Sequence, residues 1–275
     1  NVQDKDGKTP LLLAFENHDM TMAHLLLKMN ARLYERDEAG ETPLYAATTL
    51  DGMEVFTLLL RRSSDLNFPN TNGDTPLHRA ASSHIKDFAE LLIEHEANVN
   101  CGSFDSPLHR AASSGRDEIV RLLIEKGADI NKRRDEIRRG ETPLFDAVSN
   151  GHESTAQLLL EMGADPNIPN ASNETPLWLV ACGQNINLAR LLLKNGADPN
   201  IPNDFGNTPI HNSIWGEMKV DRTRVLLEGG ADPNHQNWKG ETPLQKINQR
   251  YEPPWATEDW TEIILLLAAA IDPAV

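Results

Sequence analysis

The sequence predicts an all-α repeat solenoid of about eight stacked helix-turn-helix repeats, and three observations carry that prediction. A Thr-Pro-Leu tripeptide or close variant recurs along the 275 residues with prolines at Pro10, Pro43, Pro76, Pro107, Pro143, Pro176, Pro209 and Pro243, at steps of 33, 33, 31, 36, 33, 33 and 34. An apolar run of helical period follows each tripeptide. Gly127, Gly163, Gly196 and Gly230 then stop four of these runs before an Ala-Asp-x-Asn segment. A fixed period near 33 marks units that cannot bury their apolar faces alone and gain stability only from the stack.

Each element has a physical reason. In Thr75-Pro76-Leu77-His78-Arg79-Ala80-Ala81, Thr75 can cap a helix and Pro76 takes its first position, where a missing N–H costs nothing. The small pair Ala80-Ala81, repeated as Ala111-Ala112, lets neighbouring helices approach closely, and Phe88, Leu91, Leu92 and Ile93 build the second helix of that repeat. A glycine at the end of a second helix supplies the left-handed residue that turns the chain outward. The segment from Asn200 to Asn207 then reads as a tight hairpin projecting like a finger, with Gly206 permitting the turn.

The period together with Thr-Pro-Leu-His-x-Ala, as in Thr75 to Ala80, resembles the ankyrin-repeat family over essentially the whole chain. The resemblance implies helix-turn-helix repeats with β-hairpin fingers, beginning near residues 9, 42, 75, 106, 142, 175, 208 and 242 and forming one domain, 1–275. It also implies a structural hydrogen-bonding role between repeats for His78, His109 and His211. The finger-base asparagines Asn131, Asn167, Asn200 and Asn234 are expected to serve the turn, and the family adds the expectation that they can be hydroxylated. A groove is expected along Leu13, Ala46, Arg79, Arg110, Asp146, Leu179, Asn212 and Lys246 on the first helices, bordered by the finger tips.

Departures from the repeat give this chain its individuality. The finger at Cys101 to Asp105 is two residues short, and the next, Lys132 to Arg139, is three residues long and basic. Trp215 is expected on the groove-facing part of its helix, in a repeat with one extra residue between helices. The last repeat inserts a proline-bearing loop, Tyr251 to Thr257. Ser63 and Glu96 stand where glycine is expected, at roughly 1 kcal/mol each if the left-handed turn is kept. Residues 1–4 align with a finger, and Ile263 to Ala270 form an apolar final helix, so the chain reads as a fragment with more repeats or another domain beyond residue 275.

Charge and motifs narrow the chemistry. A net charge of −15 repels nucleic-acid phosphates and anionic lipid headgroups, so nucleic acid is not expected, and no run of about eighteen apolar residues is present to insert in a membrane. Cys101 and Cys182 show no ligand spacing and suit a reducing compartment, which points to the cytoplasm. There is no HExxH, GxSxG, P-loop or GxGxxG pattern, so no catalytic residue, metal or cofactor is expected. The expected function is a scaffold that binds another protein or peptide in the groove. Phe104, Phe205, Trp215 and Trp238 would be aromatic anchors with Leu179, while Arg79 and Arg110 beside the basic finger would grip an acidic stretch. Two alternatives stay open: the substrate-recognition arm of a larger enzyme such as a ubiquitin ligase component, and a structural array of the membrane-skeleton or channel-associated kind.

Overall fold

The computed structural model describes residues 2–48, 52–63, 65–102, 104–135, 139–215, 219–248 and 258–271. The chain forms two compact units, Asn1–Asp135 and Glu136–Val275, and sixteen helices among the described residues give each unit four helix pairs. The loop Tyr251 to Thr257 lies outside the described residues, as do Glu136, Ile137 and Arg138 of the basic finger.

In the N-terminal unit the first helices are α1 (Pro10–Glu16), α3 (Pro43–Ala47), α5 (Pro76–Ser82) and α7 (Pro107–Ser113). The second helices are α2 (Met20–Lys28), α4 (Met53–Arg62), α6 (Lys86–Glu94) and α8 (Asp117–Glu125). First helices stack on first helices and second on second. Ala80, Ala81, Ala111 and Ala112 are wholly buried where α5 meets α7, and Phe56 meets Phe88 edge-on at 4.7 Å between α4 and α6. The C-terminal unit repeats the plan with first helices α9 (Pro143–Ser149), α11 (Pro176–Val180), α13 (Pro209–Ser213) and α15 (Pro243–Asn248). Its second helices are α10 (Glu153–Glu161), α12 (Ile186–Lys194), α14 (Lys219–Glu228) and α16 (Glu258–Ile271). Helices this short do not persist in isolation, so their stability is tertiary.

Every first helix opens on the repeating proline. The hydroxyls of Thr9, Thr42, Thr142 and Thr175 accept an N–H of the first turn. Where histidine occupies the third helical position, Nδ1 of His78, His109 and His211 accepts the cap residue's backbone N–H at 3.1, 3.1 and 3.2 Å. The proton therefore sits on Nε2, which faces a carbonyl of the next finger in two cases, Asp105 at 3.5 Å and Glu241 at 3.1 Å. In the last repeat Gln245 does the capping, its Oε1 accepting the Thr242 N–H at 2.9 Å.

The fingers differ from the expected strand pair: no strand forms among the described residues. A tip such as Asn203 to Asn207 is closed by its own bonds, Asn203 N–H to the Asn207 carbonyl at 3.0 Å and Gly206 N–H to the Asn203 carbonyl at 2.8 Å. Oδ1 of Asn203 meanwhile accepts the N–H groups of Phe205 and Asn207, which leaves the arms too short for a ladder. Successive fingers are linked by isolated bonds rather than a ladder, for example Trp238 N–H to the Phe205 carbonyl at 3.1 Å and Asn237 Nδ2 to Asn207 Oδ1 at 3.0 Å. Residues 4–8 close in the same way, Asp4 N–H to the Lys8 carbonyl at 3.0 Å.

The finger-base asparagines do more than make a turn. Nδ2 of Asn167 donates to the Gly196 carbonyl and its Oδ1 accepts the Asp198 N–H, and Asn200 repeats this with Gly230 and Asp232. Each side chain thereby joins two repeats. At the helix ends, Gly127, Gly163, Gly196 and Gly230 have φ between +87° and +97°. Glu96 keeps the left-handed turn at φ +69°, as does Asn30 at +58°. Ser63 does not: its φ of −84° and ψ of 131° are extended, so the expected strain is absent there.

Candidate functional site

The expected groove positions are mostly half-buried, as a lining should be, except Asp146, which is buried. In the N-terminal unit the two arginines are already engaged. Arg79 on α5 lies 3.4 Å from Glu41 and over the Tyr45 ring at 4.8 Å. Burial pushes the Glu41 carboxyl above its usual range, with Arg79 opposing the shift. Arg110 on α7 reaches Asp74 at 2.7 Å and the buried Asp105 at 3.2 Å, and Arg134 approaches Asp105 at 3.8 Å. Lys132 donates to the Asn100 carbonyl at 2.8 Å. These contacts tie neighbouring repeats together through the same arginines that the sequence offered to an acidic stretch.

The short finger places Asp105 beside His78, with Nε2 3.6 Å from Oδ1, and burial holds the His78 pKa below its ordinary value. Asp74, His78 and Asp105 bring three ligand-type atoms within 4.8 Å of one another. Two of them are the carboxylates that neutralise Arg110 and Arg134, so a cation here would displace guanidinium groups from a buried site. The arrangement suits an ion-pair network. Phe104, expected as an anchor, is half-buried against the preceding finger: a Cβ on Gly73 would stand 3.0 Å from its ring.

The C-terminal unit separates its aromatic residues. Trp215 falls outside the helix expected for it, because α13 ends at Ser213. Its ring meets Trp260 of α16 at 6.1 Å and 69°. Its carbonyl accepts from Arg222, a fully buried guanidinium that also holds the carbonyls of Ser213 and Gly183. Trp215 thus meets the second helix α16. Leu179 is half-buried on α11. Phe205 and Trp238, on successive tips, remain 71% and 69% exposed.

These two rings wall a cavity of about 280 Å³ lined also by Asn207, Lys239, Glu241 and Lys246. Its floor is fixed. Asn207 Oδ1 accepts from Asn237 Nδ2 at 3.0 Å and from the Lys246 ammonium at 3.1 Å, and the Asn207 carbonyl accepts from the Trp178 indole at 3.2 Å. Gly206 admits the next finger closely, since a Cβ there would lie 2.6 Å from the Trp238 nitrogen. The sequence pointed to Phe205, Trp238 and Lys246. It did not single out Asn207 or Lys239, although Asn207 directly precedes a helix cap, as Glu41 and Asp74 do.

Three stretches of the chain, residues 1–70, 46–134 and 144–237, match the family model described as Ankyrin repeats (3 copies). The chain belongs to the ankyrin-repeat family. Among solved structures it is similar to the human ASB11 ankyrin repeat domain, with a TM-score of 0.72 and 22% identity over 82% of this chain and all of that one. That likeness shows the ankyrin fold. Comparison with curated proteins gives no match. Ankyrin repeats are in general protein-protein interaction modules, and none of the helices among the described residues is long and apolar enough to cross a membrane.

Proposed function

We propose that this chain is a non-enzymatic binding module and scaffold whose partner docks on the finger-tip cleft between Phe205 and Trp238. The observation that carries this is the exposure of two large aromatic rings on adjacent, mutually bonded tips, where neither ring is needed to close its own turn. Rings of roughly 150–250 Å² left mostly in water are the residues that dominate interfaces when covered. Their backbone is preorganised by the Trp238-to-Phe205 hydrogen bond and the Asn207 floor, so ordering them on binding costs little. Both cysteines are free thiols, which supports a cytoplasmic setting.

Capture of partners from cell extract tests this, with wild type beside Phe205→Ala combined with Trp238→Ala, both shown folded by circular dichroism. The proposal expects a defined set of proteins to be lost from the variant alone. An identical set on both would place binding elsewhere on the chain.

A further inference from the structure

We infer that a second cavity, in the N-terminal unit, binds a small apolar carboxylic acid, its hydrocarbon body among Leu33, Tyr34, Leu44 and Phe68 and its carboxylate on Arg36. The walls are largely fixed. Leu33 and Leu44 are buried, Phe68 is half-buried, and the exposed Tyr34 is held by its hydroxyl, which donates to the Arg62 carbonyl at 3.1 Å. The chain leaving α4 borders the cavity at Ser63, where the backbone is extended; the repeats that end in glycine turn left-handed at this point. The site therefore lies at one of the departures that distinguish this chain. Its volume is about 250 Å³, just under the roughly 300–1,000 Å³ of pockets that take drug-sized ligands, and fits a single aromatic ring or a branched alkyl group.

Arg36 supplies the polar end. Its guanidinium carbon stands 3.3 Å from the centroid of the Phe68 ring, and its backbone carbonyl accepts from Gln3 Nε2 at 2.8 Å. Stacking on a ring holds a guanidinium in place and leaves its N–H edge for a planar acceptor. Other arginines of this unit use that edge: Arg110 reaches Asp74 and Asp105, and Arg62 reaches the Leu27 carbonyl and Asn30 Oδ1. Arg36 makes no ion pair or side-chain hydrogen bond among the described residues. It is half-buried, so it gives up water without a protein acceptor in return, and a carboxylate is the group that matches its fork. Asp65 is the one acidic residue of the lining and forms no ion pair with Arg36. Its Oδ1 accepts the Asn67 N–H at 2.9 Å, as Asp198 and Asp232 do for Asn200 and Asn234 in their own repeats. An uncharged apolar ligand would fill the walls and leave Arg36 unmatched; an apolar acid satisfies both.

Amide NMR spectra of the isotope-labelled whole chain, titrated with phenylpropionate, test the inference. Parallel arms use phenylpropionamide, a glycine-rich peptide ending in phenylalanine with a free carboxylate, and the variants Arg36→Gln and Asp65→Asn, each first shown folded by urea unfolding. The expected result is saturable movement of the amides of residues 33–36 and 65–68 at roughly millimolar phenylpropionate, the strength open to so small a ligand. The amide probe on wild type, and the acid on Arg36→Gln, should each bind about tenfold more weakly, while Asp65→Asn should tighten the acid. Those opposite changes mark a charge effect that a general loosening of the fold would not give. Equal binding of acid and amide, or acid binding kept by Arg36→Gln, would overturn the carboxylate assignment. No saturable movement at these amides on wild type would overturn the site, and binding of the peptide without the free acid would overturn the small-molecule reading. The Phe205–Trp238 cleft lies in the other unit, so its standing is separate from each of these results.

Discussion

Gly206→Ala should destabilise the protein by about 2–5 kcal/mol, and Gly240→Ala by only about 1–2. Both glycines sit at finger tips with φ +75°, so a side chain meets the same left-handed penalty at either, roughly 1–2 kcal/mol. Their surroundings differ. A Cβ on Gly206 would stand 2.6 Å from the Trp238 nitrogen, 2.7 Å from its Cδ2 and 3.0 Å from the Asn237 Cα, whereas a Cβ on Gly240 meets nothing within 4 Å. Two of those three contacts are backbone, which cannot swing aside, and overpacking of this kind costs roughly 1–3 kcal/mol more. The methyl group added by Gly206→Ala would also push the next finger away and lengthen the Trp238-to-Phe205 bond, loosening the cleft. Urea unfolding followed by far-ultraviolet circular dichroism measures both variants in one buffer. Losses equal within about 0.3 kcal/mol would refute the argument that the two fingers are in hard contact.

Three further expectations concern the repeats themselves. Glu96→Gly should stabilise by about 0.5–1 kcal/mol by relieving its left-handed backbone, while Ser63→Gly, whose backbone is extended, should bring no gain; paired urea titrations decide it. His211 has its pKa lowered to about 4 by burial, so the unfolded chain binds its proton first. Stability should hold above about pH 6.5 and fall as pH drops from there to about 4, by about 3 kcal/mol from this group, and His211→Gln should flatten that slope while capping as Gln245 does. Arg110→Ala should cost about 2–4 kcal/mol because it strips a partner from the buried Asp105, against less than about 1 for Arg79→Ala, whose Glu41 contact is partly exposed; thermal unfolding of the two variants would contradict this if the order were reversed.

The repeat was legible because its parts are local. A proline at the first helical position, a hydroxyl before it and a glycine after the second helix each act within a few residues, and all eight first helices begin where the prolines said. What the sequence hid lies one repeat away. Arg79 and Arg110 read as an open basic patch, yet their carboxylates stand 38 and 36 residues earlier, at the position before the preceding helix cap. The period itself could have exposed that pairing. Trp215 was misplaced because α13 stops after Ser213, and the buried Arg222 holds the carbonyls of Ser213 and Trp215. Phe104 could not be told from Phe205 by type alone: the short finger lays one ring against Gly73, and the regular finger leaves the other in water.

The central claim is that partners dock at the Phe205–Trp238 cleft, and amide hydrogen exchange with and without a captured partner locates the contact directly. The account predicts slower exchange on binding at residues 203–207 and 237–246, where the tips and the Lys246 helix meet the cavity. Protection confined to the second helices, with these amides unchanged, would contradict it.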